Sequence, residues 1–273
     1  MNMPAREEAC FVLGIAGIGV ALVCDDPNLA EALRQWYRDF AAETTDNFIL
    51  RIHLTSETPA APAAAPDASF LNGRIEVVEP GYHGSADLKA RRAILHIASD
   101  QPLYAVEYFL RVMYAALAFE AGGLLFHAAG IARNNRGYCF FGYSGSGKTT
   151  VSRLSAGDVV LNDDLVVLLP ADDGWMAHAT PFWNPTQVRP MGRIAVPLVG
   201  LFRLVQDKVV YLEAMSSGQA LAEIIASAPV ISTHAGWSDQ LLARGLQLLQ
   251  QIPVYELHFL PDASFWDVIA PQV

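Results

Sequence analysis

The sequence contains few cysteines and few basic residues, and each scarcity excludes a class of protein. Its three cysteines, Cys10, Cys24 and Cys139, form neither a disulfide framework nor a metal-ligand spacing. They are typical of free thiols in a reducing compartment. Lys and Arg number 18 against 28 Asp and Glu, which gives a formal net charge of −10. Because no basic stripe is available to displace counterions, nucleic acid and anionic membranes are not expected as partners.

A long membrane-spanning segment is also lacking. Residues 10–24 (CFVLGIAGIGVALVC) are apolar but short for a span, and Asp25 and Asp26 follow at once. The preceding Glu7 and Glu8 do not fit the basic flank of a signal peptide. Glycines within the run instead predict two short strands in a buried hairpin. We therefore expect a cytoplasmic protein without a membrane partner.

The most informative segment is GYSGSGKTT at 142–150, which has the full G-x-x-x-x-G-K-[ST] spacing of a Walker A phosphate-binding loop. An apolar run at 138–141 precedes the loop and VSRL at 151–154 follows it, so the motif has its required strand–loop–helix setting. This context predicts a site for a nucleoside triphosphate.

Each residue type in the loop suits phosphate chemistry. Glycines let backbone N–H groups converge on the phosphates, Lys148 neutralises phosphate charge, and the Thr149 hydroxyl is a ligand for Mg²⁺. The residues assigned to the nucleotide are Gly142, Ser144, Gly145, Ser146, Gly147, Lys148, Thr149 and Thr150.

A pair of carboxylates follows the loop. The short apolar run at 159–161 predicts a strand that ends at Asn162, and Asp163 and Asp164 come next. In phosphoryl transfer one carboxylate can hold Mg²⁺, while the other accepts the proton of an attacking hydroxyl. We assign Asp163 and Asp164 to catalysis and, with Thr149, to the metal; the sequence does not indicate which Asp is the base.

The chain after the pair separates two kinds of kinase. Small-metabolite kinases usually enter a helix there, whereas residues 165–169 continue as a strand and turn back at 171–174. This hairpin, the mid-chain loop and His127 on an upstream strand resemble the catalytic domain of HPr kinase/phosphorylase, over about residues 124–170. The family's E-x-R-G stretch is not found after the carboxylates.

The resemblance implies an α/β fold with a P-loop kinase core of the HPr kinase / phosphoenolpyruvate carboxykinase type at 101–273 and a small N-terminal α+β region at 1–100. It implies ATP and Mg²⁺ as cofactors, with catalytic roles for Lys148, the two aspartates and His127, which lies beside the transferred phosphoryl group. A core histidine is the alternative for His127.

The acceptor implied by this resemblance is a Ser or Thr hydroxyl of a peptide or small protein, as in the HPr-kinase-related proteins. Two other functions stay open: a kinase for a small metabolite, and a nucleotide-binding regulatory protein without transfer activity. Phosphorylase activity and a homo-oligomer also stay open. The turn-rich stretch at 178–185 is a candidate for a lid or acceptor wall, with the guanidinium groups of Arg189 and Arg193 near phosphate. The alternative is a surface loop with solvated arginines.

The remaining patterns predict the scaffold. Strands are expected at 74–79 and 88–97, joined through 80–84, and a helix is expected at 103–120. Residues 58–69 are rich in Pro and Ala and predict an exposed loop. Further predictions are a strand pair at 199–205 and 209–212, and helices whose core positions include Leu221, Ile224, Ile225, Leu242, Leu246 and Leu249.

Overall fold

The computed structural model describes residues 11–44, 48–56, 68–71, 73–155, 157–183 and 188–269. These residues form a mixed α/β protein with two β-sheets and six α-helices. The chain divides into two compact units, an N-terminal unit (Met1–Leu117) and a C-terminal unit (Ala118–Val273). Within the described ranges, no helix is both long and apolar enough to cross a membrane.

The N-terminal unit is built on a seven-stranded sheet. Its strands are β1 (Phe11–Ile15), β2 (Ile18–Cys24), β3 (Phe48–Leu54), β4 (Ala68–Leu71), β5 (Arg74–Glu79), β6 (Tyr82–Asp87) and β7 (Arg92–Ile97). They lie in the order β1-β2-β3-β7-β6-β5-β4, with β3 parallel to both β2 and β7. Helices α1 (Pro27–Trp36) and α2 (Pro102–Glu120) follow β2 and β7.

The apolar run near the N-terminus is the predicted buried hairpin. Strands β1 and β2 pair antiparallel, and the turn between them has positive φ at Ala16 and Gly17. Leu13 and Ile15 are fully buried. Helix α1 begins after Asp26, whose carboxylate accepts a hydrogen bond from the Leu29 backbone N–H at 2.8 Å.

The predicted connection through 80–84 is wrong, because Tyr82–Asp87 is strand β6. Gly84 is a site of close packing: an added Cβ there would lie 2.5 Å from the Phe109 ring of α2. The strand expected at 88–97 begins only at Arg92, after a turn. The helix expected at 103–120 is confirmed. Most of the predicted 58–69 loop lies outside the described residues.

The C-terminal unit contains the second sheet. Its strands are β8 (Leu124–Arg133), β9 (Arg136–Phe141), β10 (Val159–Asn162), β11 (Leu165–Ala171), β12 (Gly174–His178), β13 (Ala195–Gln206), β14 (Tyr211–Ala214) and β15 (Val254–Phe259). The order is β10-β8-β11-β12-β13-β15-β14, and β9 pairs with β8 and β13. The helices are α3 (Lys148–Leu154), α4 (Ser217–Ala226), α5 (Ser238–Gln251) and α6 (Phe265–Ile269).

The predicted hairpin after the carboxylate pair is confirmed, and one longer-range pairing is wrong. Strand β11 turns back into β12, and a turn with positive φ at Asn134 and Asn135 joins β8 to β9. The expected pair of β13 with β14 does not form, because β15 lies between them, parallel to β13 and antiparallel to β14.

Two leucines of α5 assigned to the core are exposed. Leu242 and Leu246 expose 43% and 45% of their surface, whereas Leu241, Gly245 and Leu248 are buried. The buried stripe is set by the close approach of α4, since an added Cβ on Gly245 would meet the Leu221 side chain at 2.6 Å.

We expect Gly123→Ala to destabilise the protein. An added Cβ at Gly123 would overlap the carbonyl oxygen of Leu168, a backbone atom of β11. Overpacking of this kind costs about 1–3 kcal/mol of unfolding free energy. Urea denaturation measures the change. Gly218→Ala is the matched control, because that position in α4 faces open space and Ala favours a helix by up to about 1 kcal/mol. Equal midpoints for the two variants would contradict the close approach.

Candidate active site

The phosphate-binding loop connects the end of β9 to the start of α3. Gly142, Gly145 and Gly147 have φ values of 146°, 84° and 114°, which side-chain-bearing residues rarely adopt. Gly147 also meets the ring of Phe259, where an added Cβ would lie 2.5 Å from the nearest ring carbon. The glycines are therefore required by the path of the loop and, at Gly147, by the close approach of Phe259.

Lys148 is 9% exposed and lies against the loop. Its Nζ donates to the carbonyl oxygens of Gly142 at 3.0 Å and Tyr143 at 3.4 Å. Burial lowers the pKa of the Lys148 ammonium, and the nearby carboxylates of Asp164 and Asp163 partly offset that shift. The ammonium is thus placed between the loop and the carboxylate pair.

Sheet pairing positions the carboxylates beside His127. Strands β10 and β11 both pair antiparallel with β8, with Asn162 opposite Gly130 and Leu165 opposite His127. The two residues between Asn162 and Leu165 are the aspartates. Because β9 pairs with the same strand β8, the loop that leaves β9 begins near this turn.

Asn162 fixes the turn through four hydrogen bonds. Its side chain is fully buried, and its Nδ2 donates to the carbonyl oxygens of Thr180 at 3.1 Å and Phe182 at 2.9 Å. Its Oδ1 accepts from the backbone N–H groups of Asp164 at 2.7 Å and Leu165 at 2.9 Å. No role for Asn162 was predicted from the sequence, although an Asn at a strand end is a signal for such an Asx turn.

The side chain of Asp163 is buried without a good partner. The residue is 1% exposed, and neither carboxylate oxygen has a regular hydrogen bond within the described part of the chain. Burial, and then the charge of Asp164, raise the pKa of Asp163 to about 6, while the Thr149 hydroxyl and the Val188 backbone N–H partly offset the rise. An orphaned buried carboxylate facing a Thr hydroxyl fits a hard divalent cation such as Mg²⁺.

Asp164 is paired with His127. The His127 Nε2 lies 2.9 Å from the Asp164 Oδ1, with 38% and 24% of the respective side chains exposed. The backbone N–H of His127 donates to the carbonyl oxygen of Ser227 at 2.7 Å, which holds the strand at this position. The predicted His127 is therefore joined to the carboxylate pair, and the two aspartates have different surroundings.

These groups surround one cavity of about 340 Å³. Its lining residues are His127, Ser144, Gly145, Gly147, Lys148, Thr149, Thr150, Asp163, Asp164 and Gln206. All but Gln206 were predicted from the sequence. Gln206 donates from Nε2 to the Gly145 carbonyl oxygen at 2.9 Å. No local motif marks this glutamine, because it reaches the loop only through sheet pairing.

Four other predicted residues lie outside the cavity lining. The Gly142 carbonyl oxygen accepts a hydrogen bond from Lys148 Nζ, and Ser146 is buried, with no described partner for its Oγ. Neither Arg189 nor Arg193 is among the described residues that line the cavity. The Arg189 guanidinium instead lies over the Trp183 ring at 5.7 Å. Residues 184 and 185, the end of the turn-rich stretch at 178–185, lie outside the described residues.

Comparison with known proteins identifies the family. The matching family model is described as SynChlorMet cassette protein ScmC, and the match spans residues 97–273. A comparison with curated proteins gives no significant match.

The resemblance to HPr kinase/phosphorylase was the wrong family assignment. It depended on the mid-chain loop, the hairpin after the carboxylate pair and His127 on an upstream strand. The loop motif itself occurs in many protein families. These features indicate a kind of site and do not separate one family from another. The match over residues 97–273 shows that the chain belongs to the family of the SynChlorMet cassette protein ScmC.

Proposed function

We propose that this protein is an ATP-dependent kinase, with a phosphate-binding-loop core, that transfers the γ-phosphoryl group to a hydroxyl. The observation that carries the proposal is one cavity lined by Lys148, the buried Asp163 and the paired Asp164 and His127. A pure nucleotide switch has no need of a second carboxylate with its own histidine partner. We place the reaction in the cytoplasm, where ATP is available.

The two aspartates have different proposed roles. Asp163, with its unpartnered oxygens facing Thr149, holds Mg²⁺ together with that hydroxyl. When bound, Mg²⁺ offsets the negative charge of the phosphates. Asp164, partly exposed and oriented by His127, accepts the proton of the attacking hydroxyl. Lys148, whose Nζ bonds to two carbonyl oxygens of the loop, neutralises phosphate charge in the cavity.

The volume of the cavity favours one class of phosphoryl acceptor. At about 340 Å³ it lies near the lower end of the range of about 300–1,000 Å³ for sites that enclose a small ligand. The phosphate groups of a bound nucleotide would occupy much of that volume. The described residues therefore leave little enclosed space for a whole metabolite, which favours an acceptor that inserts only its hydroxyl. We propose a Ser or Thr of a peptide or small protein.

Incubation with γ-labelled ATP, Mg²⁺ and candidate acceptors tests the proposal. We expect label on a Ser or Thr of a peptide or small protein, and we expect Lys148→Ala to reduce transfer at least about 100-fold and to remove stabilisation by nucleotide. Lys208→Ala is the matched control, because Lys208 is exposed and does not line the cavity.

Each alternative function gives a distinct result in this experiment. Label on a free sugar or other metabolite, with none on peptides, would replace the peptide acceptor. Nucleotide binding without transfer to any acceptor would indicate a regulatory protein. Normal binding and transfer by Lys148→Ala would contradict the site itself.

Substitution of each aspartate should separate binding from chemistry. We expect Asp163→Asn to weaken Mg²⁺-dependent nucleotide binding, because a ligand charge is lost. Asp164→Asn should retain Mg²⁺-dependent nucleotide binding and lower kcat about 10²–10⁴-fold, because the proton acceptor is lost. Calorimetry and single-turnover kinetics measure the two effects, with Asp172→Asn in an exposed turn as control. If both variants transfer phosphate at the wild-type rate, the two aspartates have only a structural role.

The raised pKa of Asp163 predicts a pH-dependent stability of the free protein. A folded pKa of about 6, above the usual value of 3.8, means that the folded state holds the proton more tightly. The unfolding free energy contributed by this group therefore falls as pH rises from about 4 to 6. We expect Asp163→Asn to stabilise the protein by about 1–3 kcal/mol at pH 7.5 and much less at pH 4. Urea denaturation without Mg²⁺ measures both values; an equal shift at both pH values would contradict this origin.

A further inference from the structure

A second group of ligand-type side chains lies at the β14–β15 edge of the C-terminal sheet. Glu213 pairs with Glu256 in the strand register, and Tyr211 pairs with His258. Side chains two positions apart on a strand share a face, so all four project from one side of the sheet. Glu213, Glu256 and His258 each offer one ligand atom, and these atoms all lie within 4.8 Å of one another.

His258 is prepared for ligation at one nitrogen. Its Nδ1 lies 2.8 Å from the Asp207 Oδ2, and its ring stacks on Tyr211 with centroids 4.1 Å apart. Its Nε2 is buried and has no hydrogen-bond partner among the described residues. A carboxylate on Nδ1 holds the proton there and leaves the lone pair on Nε2, which is the arrangement found around histidines that bind metal.

The neighbouring charges favour a cation. Arg203 donates from Nη1 to the Glu256 Oε1 at 2.9 Å and from Nε to the Glu223 Oε1 at 2.7 Å. The other oxygen of Glu256, Oε2, faces His258 Nε2 at 3.8 Å. Two carboxylates, those of Glu223 and Glu256, thus share one guanidinium, and Glu213 and Asp207 add further negative charge nearby. A divalent ion would reduce this excess of negative charge.

We propose that Glu213, Glu256 and His258 bind a divalent transition-metal ion of the zinc type. An imidazole ligand disfavours Mg²⁺ and Ca²⁺, which prefer oxygen alone. Ligand atoms of tetrahedral zinc stand about 3.4 Å apart, so the 3.8 Å separation of Glu256 Oε2 and His258 Nε2 needs only a small adjustment. Glu213 is exposed, which leaves the remaining coordination position to water.

This site is separate from the proposed kinase site, because none of its three ligands lines the cavity at the loop. Its ligands come from two paired strands, and β14 is a four-residue strand that pairs only with β15 among the described strands. A bound ion would therefore fasten this edge strand to the sheet. The expected consequence is a higher thermal midpoint in the presence of the metal.

Zinc binding to the metal-stripped full chain, without nucleotide, tests the inference. The starting protein is Asp163→Asn/Asp164→Asn, which removes the carboxylate pair of the proposed kinase site as a competing place for zinc. We expect it to bind one Zn²⁺ per chain, and to give the absorption spectrum of tetrahedral cobalt when Co²⁺ replaces zinc. Glu213 is exposed, so adding Glu213→Gln should leave the fold intact. We expect this change to weaken zinc affinity at least about 10-fold and to abolish the thermal shift. Asp207→Asn should weaken zinc about 10–100-fold through His258.

Asp172→Asn in the same background is the matched control, because it removes an equally exposed carboxylate away from the cluster, and its zinc affinity should be unchanged. The absence of zinc binding in the starting protein would overturn the inference. Binding that survives both Glu213→Gln and His258→Ala would overturn it as well. Neither result bears on phosphoryl transfer, which is measured separately with Mg²⁺ and ATP.

Discussion

The buried side chain of Asn162 determines the geometry of the proposed active site. It joins the end of β10, the start of β11 and the segment at 180–182 through four hydrogen bonds. Three of these four hydrogen bonds are buried, and the fourth, from the Asp164 N–H, is part-buried, so water competes little for them. Fixing the backbone of this turn fixes where the two aspartates leave it. The orientation of the carboxylates toward the loop follows from that constraint.

The site keeps polar groups that the fold itself leaves unsatisfied. Both oxygens of Asp163 and the Oγ of Ser146 are buried without a regular described partner, and each such group costs about 1–3 kcal/mol or more when charged. A fold selected for stability alone would satisfy them. In the proposed function, bound nucleotide and Mg²⁺ would supply the missing partners. Stability of the free protein and affinity for Mg²⁺ are therefore expected to oppose one another at Asp163.

The two proposed sites of the C-terminal unit, one at the loop and one at the β14–β15 edge, both contain carboxylates but differ in their other ligand atoms. At the loop, the neighbours are a hydroxyl, an ammonium and backbone N–H groups, which suit a hard cation bound with phosphate. At the β14–β15 edge, the buried nitrogen of His258 adds a softer ligand with its own carboxylate partner. Gln206 and Asp207 are adjacent in sequence, yet one contacts the loop and the other supports His258. Strand β13 thus ends between the two proposed sites.

The sequence alone determined the features that depend on neighbours in the chain. The loop at 142–150, the aspartates after β10 and the tight hairpins follow from motif spacing and turn residues, and nearly all of the cavity lining was predicted from them. The family could not be predicted from these features, because nucleotide chemistry imposes the same short motifs on different families.

Only the tertiary structure decided the features that depend on long-range pairing. The insertion of β15 between β13 and β14 brought Glu256 and His258 beside Glu213, and it placed Phe259 against Gly147. The burial of α5 was set by the approach of α4 and not by its own leucine spacing. Local periodicity predicts which residues share a face of a helix or strand. The element that covers that face comes from a distant part of the chain. The burial of each residue, the raised pKa of Asp163 and the grouping of metal-ligand side chains depend on those distant contacts.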